Sequence, residues 1–395
     1  MPQRHFLFLQ GLPGPALRRV ARQLELRGHA TSRINFNGGD WADWRFAGTP
    51  YRGTVQRFAG WLVDEARAIG ATDIVLLGER RPLHIQAIAA AQQLGLDVHV
   101  FEEGYLRPNS VTIERWRKGR PWQAPQSLDE CADRARGLPT VETPIENRFT
   151  RRWREAVRYW AFATALWPFY PGYRSHRVQS AWHEMLAWLG RYCRRPAEQR
   201  DSAAARAALG DAPFFLFPLQ LDGDAQLVHR SPFASMEAAA ALVFASFAAH
   251  APSDMHLLVK RHPFDPDPRR WRRRLARLAD QHDIAARVHY VEFADLDALL
   301  ARCRGVITVN STVGGLALRQ GRPVHAVGQA LYAMPGLASC GSPDPFWTAP
   351  AAVDPQNYAV FAAALWQDCL VNAGFHGKDA LARLESEAAQ RMSEE

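Results

Sequence analysis

The sequence predicts an α/β protein built from two Rossmann-like units. Three observations carry that expectation. Short apolar strands alternate with amphipathic helices over the first 110 residues, the same alternation resumes after residue 212, and a stretch rich in tryptophan and arginine separates the two. Strands buried on both faces read as continuous apolar runs, and helices between them imply a parallel sheet covered on both sides.

The elements follow in order. HFLFL (His5–Leu9) reads as a buried strand, and Gly11, Pro13 and Gly14 form a turn before a helix reaching about Arg27. A strand over about Ala30–Phe36, a helix over Thr54–Ile69, a strand over Asp73–Leu77, a helix over Pro82–Leu94 and a strand over Asp97–Glu102 complete the first unit. In the second, strands are expected at Phe214–Leu219, His256–Lys260, Arg287–Val291, Gly305–Val309 and Pro323–Ala326. Helices are expected at Ser235–Ala249, Pro268–Gln281, Leu296–Arg302 and from about Val313. A helical tail covers Asn357–Arg391. The expected boundaries are 1–150, a linker at 151–205, 206–350, and a tail at 351–395. Two such units with an inserted helical region describe the GT-B architecture, two Rossmann-like domains facing a cleft, better than one long sheet. Ligands of open α/β sheets bind beyond the carboxyl ends of the strands, so strand ends are where chemistry is sought.

Composition narrows the function. The 395 residues leave room for two or three domains at roughly 100–200 residues each. With 20 Phe, 13 Trp and 9 Tyr there is ample apolar surface to bury, which argues against disorder. The longest nearly apolar run, Tyr159–Tyr170, contains a proline and is shorter than the roughly 20 residues of a bilayer span. The amino-terminal apolar stretch is too short for a secretory signal, so a cytoplasmic location is expected. Cys131, Cys193, Cys303, Cys340 and Cys369 form no CxxC pair, which speaks against a disulfide framework or a structural zinc site. The net charge of +8 suits anionic partners. No known reading module accompanies it, so nucleic acid is not expected. Neither GxGxxG after the first strand, nor a P-loop, HExxH or GxSxG is present, which sets aside most dehydrogenases, phosphate-loop kinases, zincins and serine hydrolases.

Four strand ends remain. Glu102-Glu103-Gly104 places adjacent carboxylates at a glycine turn, where one can acquire a raised pKa suited to acid/base work; a solvated loop would look the same. Lys260-Arg261-His262-Pro263 sets a histidine where it can meet a phosphate, or simply makes a surface turn. Asn310-Ser311-Thr312 opens a helix, which suits both anion binding and plain N-capping. Gln220 to Gln226 (QLDGDAQ) holds an Asp222-Gly223-Asp224 pair resembling a metal–nucleotide motif, whereas Asp265-Pro266-Asp267 is expected to be a solvated turn. The region 150–195 reads as interfacial helices, aromatic bodies with arginines for lipid phosphates, or as a helical pair packed between domains.

Together, FLQGLPGP, INFNGGDW, GERRPLHIQA, FEEGYLRP, PLQLDGDAQLVHRSPF, VKRHPFD and ITVNSTVGGLALRQGRPV resemble the capsular-polysaccharide β-Kdo transferases of the KpsS type, in the family's order from about residue 5 to Trp347. The EEG, HP and Ser/Thr motifs are also similar to those of bacterial sialyltransferases. The resemblance implies a GT-B enzyme that moves Kdo from CMP-Kdo to a phosphatidylglycerol-type lipid with retention, starting a capsule linker. It implies Asp224 as nucleophile, Glu103 as acid/base with Glu102 as fallback, and His262, Ser311 and Thr312 at the CMP phosphate. Gln220 and Asn310 belong to the same donor-side motifs. Gly104, Arg107, Gly11, Asp40 and His84 lie in the motifs of the acceptor side. Lys260 or Arg261 could pair with the Kdo carboxylate, with Arg107 and Arg230 as rivals. A single-phosphate leaving group can be neutralised by a histidine and hydroxyls, so no metal and no cofactor are expected. Expected partners are CMP-Kdo, an anionic lipid acceptor, the inner face of the bacterial inner membrane and other capsule biosynthesis proteins. The competing readings are a GT-B transferase with another CMP- or UDP-sugar donor, and a non-catalytic assembly or export factor.

Overall fold

The computed structural model describes residues 3–135, 143–145, 149–175, 181–222, 227, 231–263, 265 and 268–394. The first elements are β1 (His5–Phe8), α1 (Ala16–Leu26), β2 (Ala30–Asn35), α2 (Gly38–Asp43), β3 (Thr49–Pro50), α3 (Val55–Ile69), β4 (Asp73–Leu77), α4 (Pro82–Leu94), β5 (Asp97–Glu103) and β6 (Val111–Trp116). Helices α5 (Leu128–Arg134), α6 (Phe149–Ala165) and α7 (Ala181–Leu209) follow. Then come β7 (Phe214–Pro218), α8 (Met236–His250), β8 (His256–Lys260), α9 (Pro268–Gln281), β9 (Val288–Val291), α10 (Leu296–Arg302), β10 (Gly305–Thr308), α11 (Thr312–Arg319), β11 (Val324–Ala326) and β12 (Ser339–Cys340). The chain closes with α12 (Pro355–Asp368), β13 (Leu370–Val371) and α13 (Lys378–Ser393).

These elements form two compact units. One comprises Met1–Ala124, Arg136–Arg177 and Leu365–Glu395, the other Pro125–Ala135 and Val178–Ala364. In the first, the strand order is β13-β6-β5-β4-β1-β2-β3. The five strands from β5 to β3 are parallel, and β6 and β13 add antiparallel. Successive residues of a strand point to opposite faces, and β1 shows the consequence. Phe6 and Phe8 pack with Leu17, Val20 and Leu24 of α1 and with Leu381 and Leu384 of α13. Leu7 and Leu9 pack on the other face with Phe58 and Leu62 of α3 and Ala87 and Ala90 of α4. Helices α3 and α4 stop at Gly70 and Gly95, whose positive φ values of 66° and 70° are the left-handed caps that glycine adopts without strain.

The second unit is a wholly parallel sheet of order β12-β11-β10-β7-β8-β9. One face is filled by α8 (Val243, Phe244, Phe247) and α9 (Trp271, Leu275). Alanine-rich α8 starts at Ser235, whose hydroxyl accepts from the Ala238 amide at 3.2 Å, so propensity and cap agree.

The grouping differs from the sequence expectation in two respects. The carboxyl-terminal segment is not a separate tail. Strand β13 pairs with β6, and Leu381, Leu384, Ala388 and Met392 of α13 complete the core that α1 alone leaves open. Arg19 on α1 holds Glu385 of α13 through two hydrogen bonds of 2.5 and 2.8 Å. Nor is 151–205 one linker, because α6 belongs to the first unit and α7 to the second. Helix α6 lies against α2, whose Gly38 and Gly39 leave no room for a side chain. A Cβ on either would sit 2.3 Å from the Phe162 carbonyl or 2.6 Å from that of Tyr159. Among the described residues no helix is long and apolar enough to cross a membrane.

Candidate active site

In a sheet of order 3-2-1-4-5, the chain leaves the first strand in opposite directions, and a crevice opens between the ends of strands 1 and 4. Both units have this topology, with β1 and β4 flanking the reversal in one and β7 and β10 in the other.

At the first reversal, the Arg81 guanidinium donates to the Gln10 side-chain oxygen at 3.2 Å and to the Gly11 carbonyl at 3.1 Å. Gly11 itself has no room for a Cβ, which would lie 2.7 Å from Leu17. The Gln10 amide donates to Asp40 at 3.3 Å and to the hydroxyls of Tyr159 and Tyr173 at 3.0 and 3.2 Å. Asp40 is buried. It accepts from Tyr159 and from the Phe36 amide and is ion-paired with Arg33 at 3.0 Å. Asp40 is therefore engaged by structural partners on both carboxylate oxygens. His84 is buried in α4, with Nδ1 2.7 Å from the Gly78 carbonyl.

The Glu102–Glu103 pair lies one strand further along. The sequence suggested a tight turn; instead β5 runs through Glu103, with Glu102 opposite Thr112 and Glu103 opposite Val111 of β6. Gly104 is required by close approach, since a Cβ there would come within 1.9 Å of the Ser110 hydroxyl. The two carboxylates point to opposite faces and differ accordingly. Glu103 is bound by Arg107 at 2.9 Å and by Arg152 at 3.3 Å. Arg107 is thereby committed to Glu103. Burial pushes the Glu102 carboxyl up to about 7, with Glu114 and Glu79 adding repulsion and Arg81 partly opposing it. Burial and its acidic neighbours thus favour the protonated form of Glu102, while Glu103 is held by two arginines.

At the second reversal, the Gln220 side chain donates to the Asn310 side-chain oxygen at 2.8 Å and accepts from the Asn310 amide at 3.1 Å. The pair ties the end of β7 to the end of β10. Ser311 caps α11 by accepting from the Val313 amide at 3.2 Å, and its carbonyl accepts from Tyr332 at 2.7 Å. Thr312 is the first residue of α11. A Cβ at Gly314 would strike that Tyr332 hydroxyl at 2.1 Å, which explains the glycine in the motif. Asp222 accepts from the Met236 amide at 2.9 Å and so caps α8. Asp224, Arg230 and Asp267 lie outside the described residues.

Lys260 ends β8, and burial followed by the nearby Arg261 charge lowers its pKa. It forms no hydrogen bond or ion pair through its ammonium among the described residues. Arg261 contradicts the expected role at the sugar carboxylate. Its side chain is fully buried, 3.6 Å from Glu198 on α7 and 3.5 Å from Glu292 after β9. Strand alternation is the reason, because Arg261 shares the face of Val259, which is core. His262, the next residue, is half-buried and its carbonyl accepts from the Asp265 amide at 3.1 Å. Asp265 is no solvated turn either, being buried and accepting from the Trp271 indole at 2.7 Å.

Sequence reading missed Gln10, Arg81, Tyr159 and Glu114. The signal for Arg81 was its place before Pro82 at a strand-to-helix junction. Gln10 and Gln220 share the local pattern of an apolar strand followed by Leu-Gln (FLFLQ and FLFPLQ).

The chain is thus an α/β protein of two Rossmann-like units, each with polar side chains gathered at the reversal of its sheet. The chain belongs to the capsule polysaccharide biosynthesis protein family, whose model matches residues 72–376. It is 32% identical to the capsule polysaccharide export protein KpsS of Escherichia coli over 381 residues, 94% of this chain and 97% of that protein. It is 28% identical to the capsule polysaccharide modification protein LipB of Neisseria meningitidis serogroup A, over 95% of this chain and 92% of that one. Among solved structures it is similar to the β-Kdo 2,7 transferase of Thermosulfurimonas dismutans KpsC. That likeness has a TM-score of 0.47 and 13% identity, and covers 98% of this chain and 100% of the other.

Proposed function

We propose that the protein is a retaining glycosyltransferase of capsule assembly, moving Kdo from CMP-Kdo to a phosphatidylglycerol-type lipid at the inner face of the inner membrane. The observation that carries the reading is the contrast between the strand ends of the two units: one has the hydroxyl-capped start of α11 and Lys260, whose ammonium makes no hydrogen bond or ion pair among the described residues, the other a carboxyl that burial pushes up to about 7. The first set suits the anionic part of a sugar nucleotide, with Lys260, His262 and the start of α11 around the phosphate and the Gln220–Asn310 pair fixing their spacing. The second supplies the base.

Retention proceeds by two displacements. Asp224, assigned through the family motif, attacks the anomeric carbon. The bond to the CMP phosphate oxygen breaks, and CMP leaves with the electron pair. The acceptor hydroxyl then attacks the same carbon, Glu102 takes its proton, and the Asp224 carboxylate is released. A base with a pKa of about 7 is half in its active form at neutral pH.

The test is a mass-spectrometric transfer assay with CMP-Kdo generated in place and a short-chain phosphatidylglycerol acceptor. A product heavier by one Kdo is expected, absent with Asp224→Ala, which should still bind CMP. A folded protein that neither transfers nor binds CMP would contradict the reading and favour a non-catalytic export role.

A further inference from the structure

A cavity of about 1160 Å³ in the first unit lies between α6 and the start of α13. It is lined by Arg151, Arg154, Arg158, Lys378 and Arg383 against only two acids, Glu155 and Asp379. Glu155 is already held by Arg151 at 3.0 Å and by His376 at 2.8 Å. Arg154 and Lys378 are exposed and make no hydrogen bond or ion pair with described residues through their charged groups. Helix α13 begins at Gly377 without a side-chain cap, and its first residues, Lys378, Asp379 and Ala380, line the same space.

Trp153 and Val157 also line this cavity. Nine large hydrophobic side chains are exposed among the described residues, and Trp153, Val157, Trp167 and Phe169 fall within α6 and the turn after it. A fifth, Phe46, stacks edge-on against Phe162 of α6 at 5.7 Å. Trp167 and Phe169 are 67% and 59% exposed, unusual for rings in a helical segment that buries its other side. Residues 149–175 contain five arginines and one acid. Arg151, Arg152 and Arg158 are ion-paired with Glu155, Glu103 and Asp43, and exposed rings beside the exposed Arg154 match the interfacial region of a bilayer of anionic lipid.

We propose that this face of α6 docks on an anionic phospholipid surface, with the cationic cavity receiving a lipid phosphate headgroup and the exposed rings entering the interface. The inference rests on the reading that the acceptor is a lipid, but it concerns a surface separate from the transfer chemistry. The charges supply attraction that falls with salt, and the rings supply a contribution that does not.

Vesicle flotation tests it with the full chain. Wild-type protein should float with phosphatidylcholine vesicles containing phosphatidylglycerol, not with phosphatidylcholine alone, and added salt should weaken the binding. Arg154→Glu with Lys378→Glu should reduce binding at least roughly tenfold. Trp153→Ala with Trp167→Ala should reduce it by a smaller factor that salt does not change. Both variants should melt like wild type and transfer normally to a water-soluble short-chain acceptor. Equal binding to both vesicle types, or undiminished binding by a folded charge-reversed variant, would overturn the proposal. Transfer to the soluble acceptor without vesicle binding would sink the docking face and leave the reaction standing. Vesicle binding without any transfer would do the reverse.

Discussion

The two sheet reversals share one backbone plan and carry opposite chemistry. In each, a glutamine two residues past the first strand ties neighbouring loops together. Gln10 does so with Arg81, Asp40 and two tyrosines, and Gln220 with Asn310 among the described residues. The first reversal consumes its cation internally, because Arg81 is hydrogen-bonded to Gln10 and Gly11. The second leaves Lys260 without such partners among the described residues. An identical topology thus carries a wide hydrogen-bond network at one reversal and a glutamine–asparagine tie at the other. The fold locates a site, and the residues at the strand ends decide what it does.

The largest expected effect separates the two carboxylates of β5. Glu102→Gln should lower turnover roughly 10²–10⁴-fold without changing CMP affinity. Glu103→Gln should cost far less, because Glu103 is neutralised by Arg107 and Arg152. If the two variants rank the other way, the base is misassigned. In wild type the rate should rise with pH through about 7 as Glu102 loses its proton, and Glu102→Gln should flatten that limb.

Arg261 gives the next effect. Arg261→Met removes the fully buried cation that Glu198 and Glu292 share and leaves them only the more exposed Arg194 and Arg272, where burial already pushes Glu292 up. Breaking a buried ion pair from one side costs about 3–5 kcal/mol, so the melting temperature should fall, as calorimetry would show. Loss of donor affinity with unchanged stability would instead return Arg261 to the donor site.

The glutamines sharpen the comparison further. Gln220→Ala should weaken CMP binding, because the β7–β10 tie is lost. Gln10→Ala should destabilise the first unit by about 1–3 kcal/mol, the cost of unpaired buried polar groups, while sparing the nucleotide.

The smallest effect is one of stability. A raised carboxyl pKa means that the folded state binds the proton more tightly than the unfolded chain. Its contribution is full below the unfolded value near 4.5 and is lost as pH rises towards 7. Glu102→Gln should therefore melt higher than wild type at pH above about 8, and an unchanged or lower value would mean that the carboxyl is not penalised by burial.

The parallel strands and their helices were legible because buried strands announce themselves as apolar runs, as HFLFL and FFLFP do. Strand β6 was not, because Thr112, Glu114 and Arg115 dilute its apolar residues and its partner β5 lies across an irregular loop. The destination of α13 was equally hidden: its periodicity shows that one face is buried, not which sheet buries it. The candidate residues clustered at strand ends as read, but their roles could not be ranked from sequence. Glu102 differs from Glu103, and Lys260 from Arg261, only in the face of the strand on which each falls, and that parity is fixed by where the strand ends.

The most direct test is calorimetric titration of CMP into two variants that each remove a cation at the strand ends of one unit, Lys260→Ala and Arg81→Ala. The account predicts that Lys260→Ala loses at least roughly tenfold in affinity, about 1.4 kcal/mol, while a folded Arg81→Ala binds CMP as wild type does. Affinity lost in Arg81→Ala and kept in Lys260→Ala would place the nucleotide on the other unit and contradict the division of labour argued above.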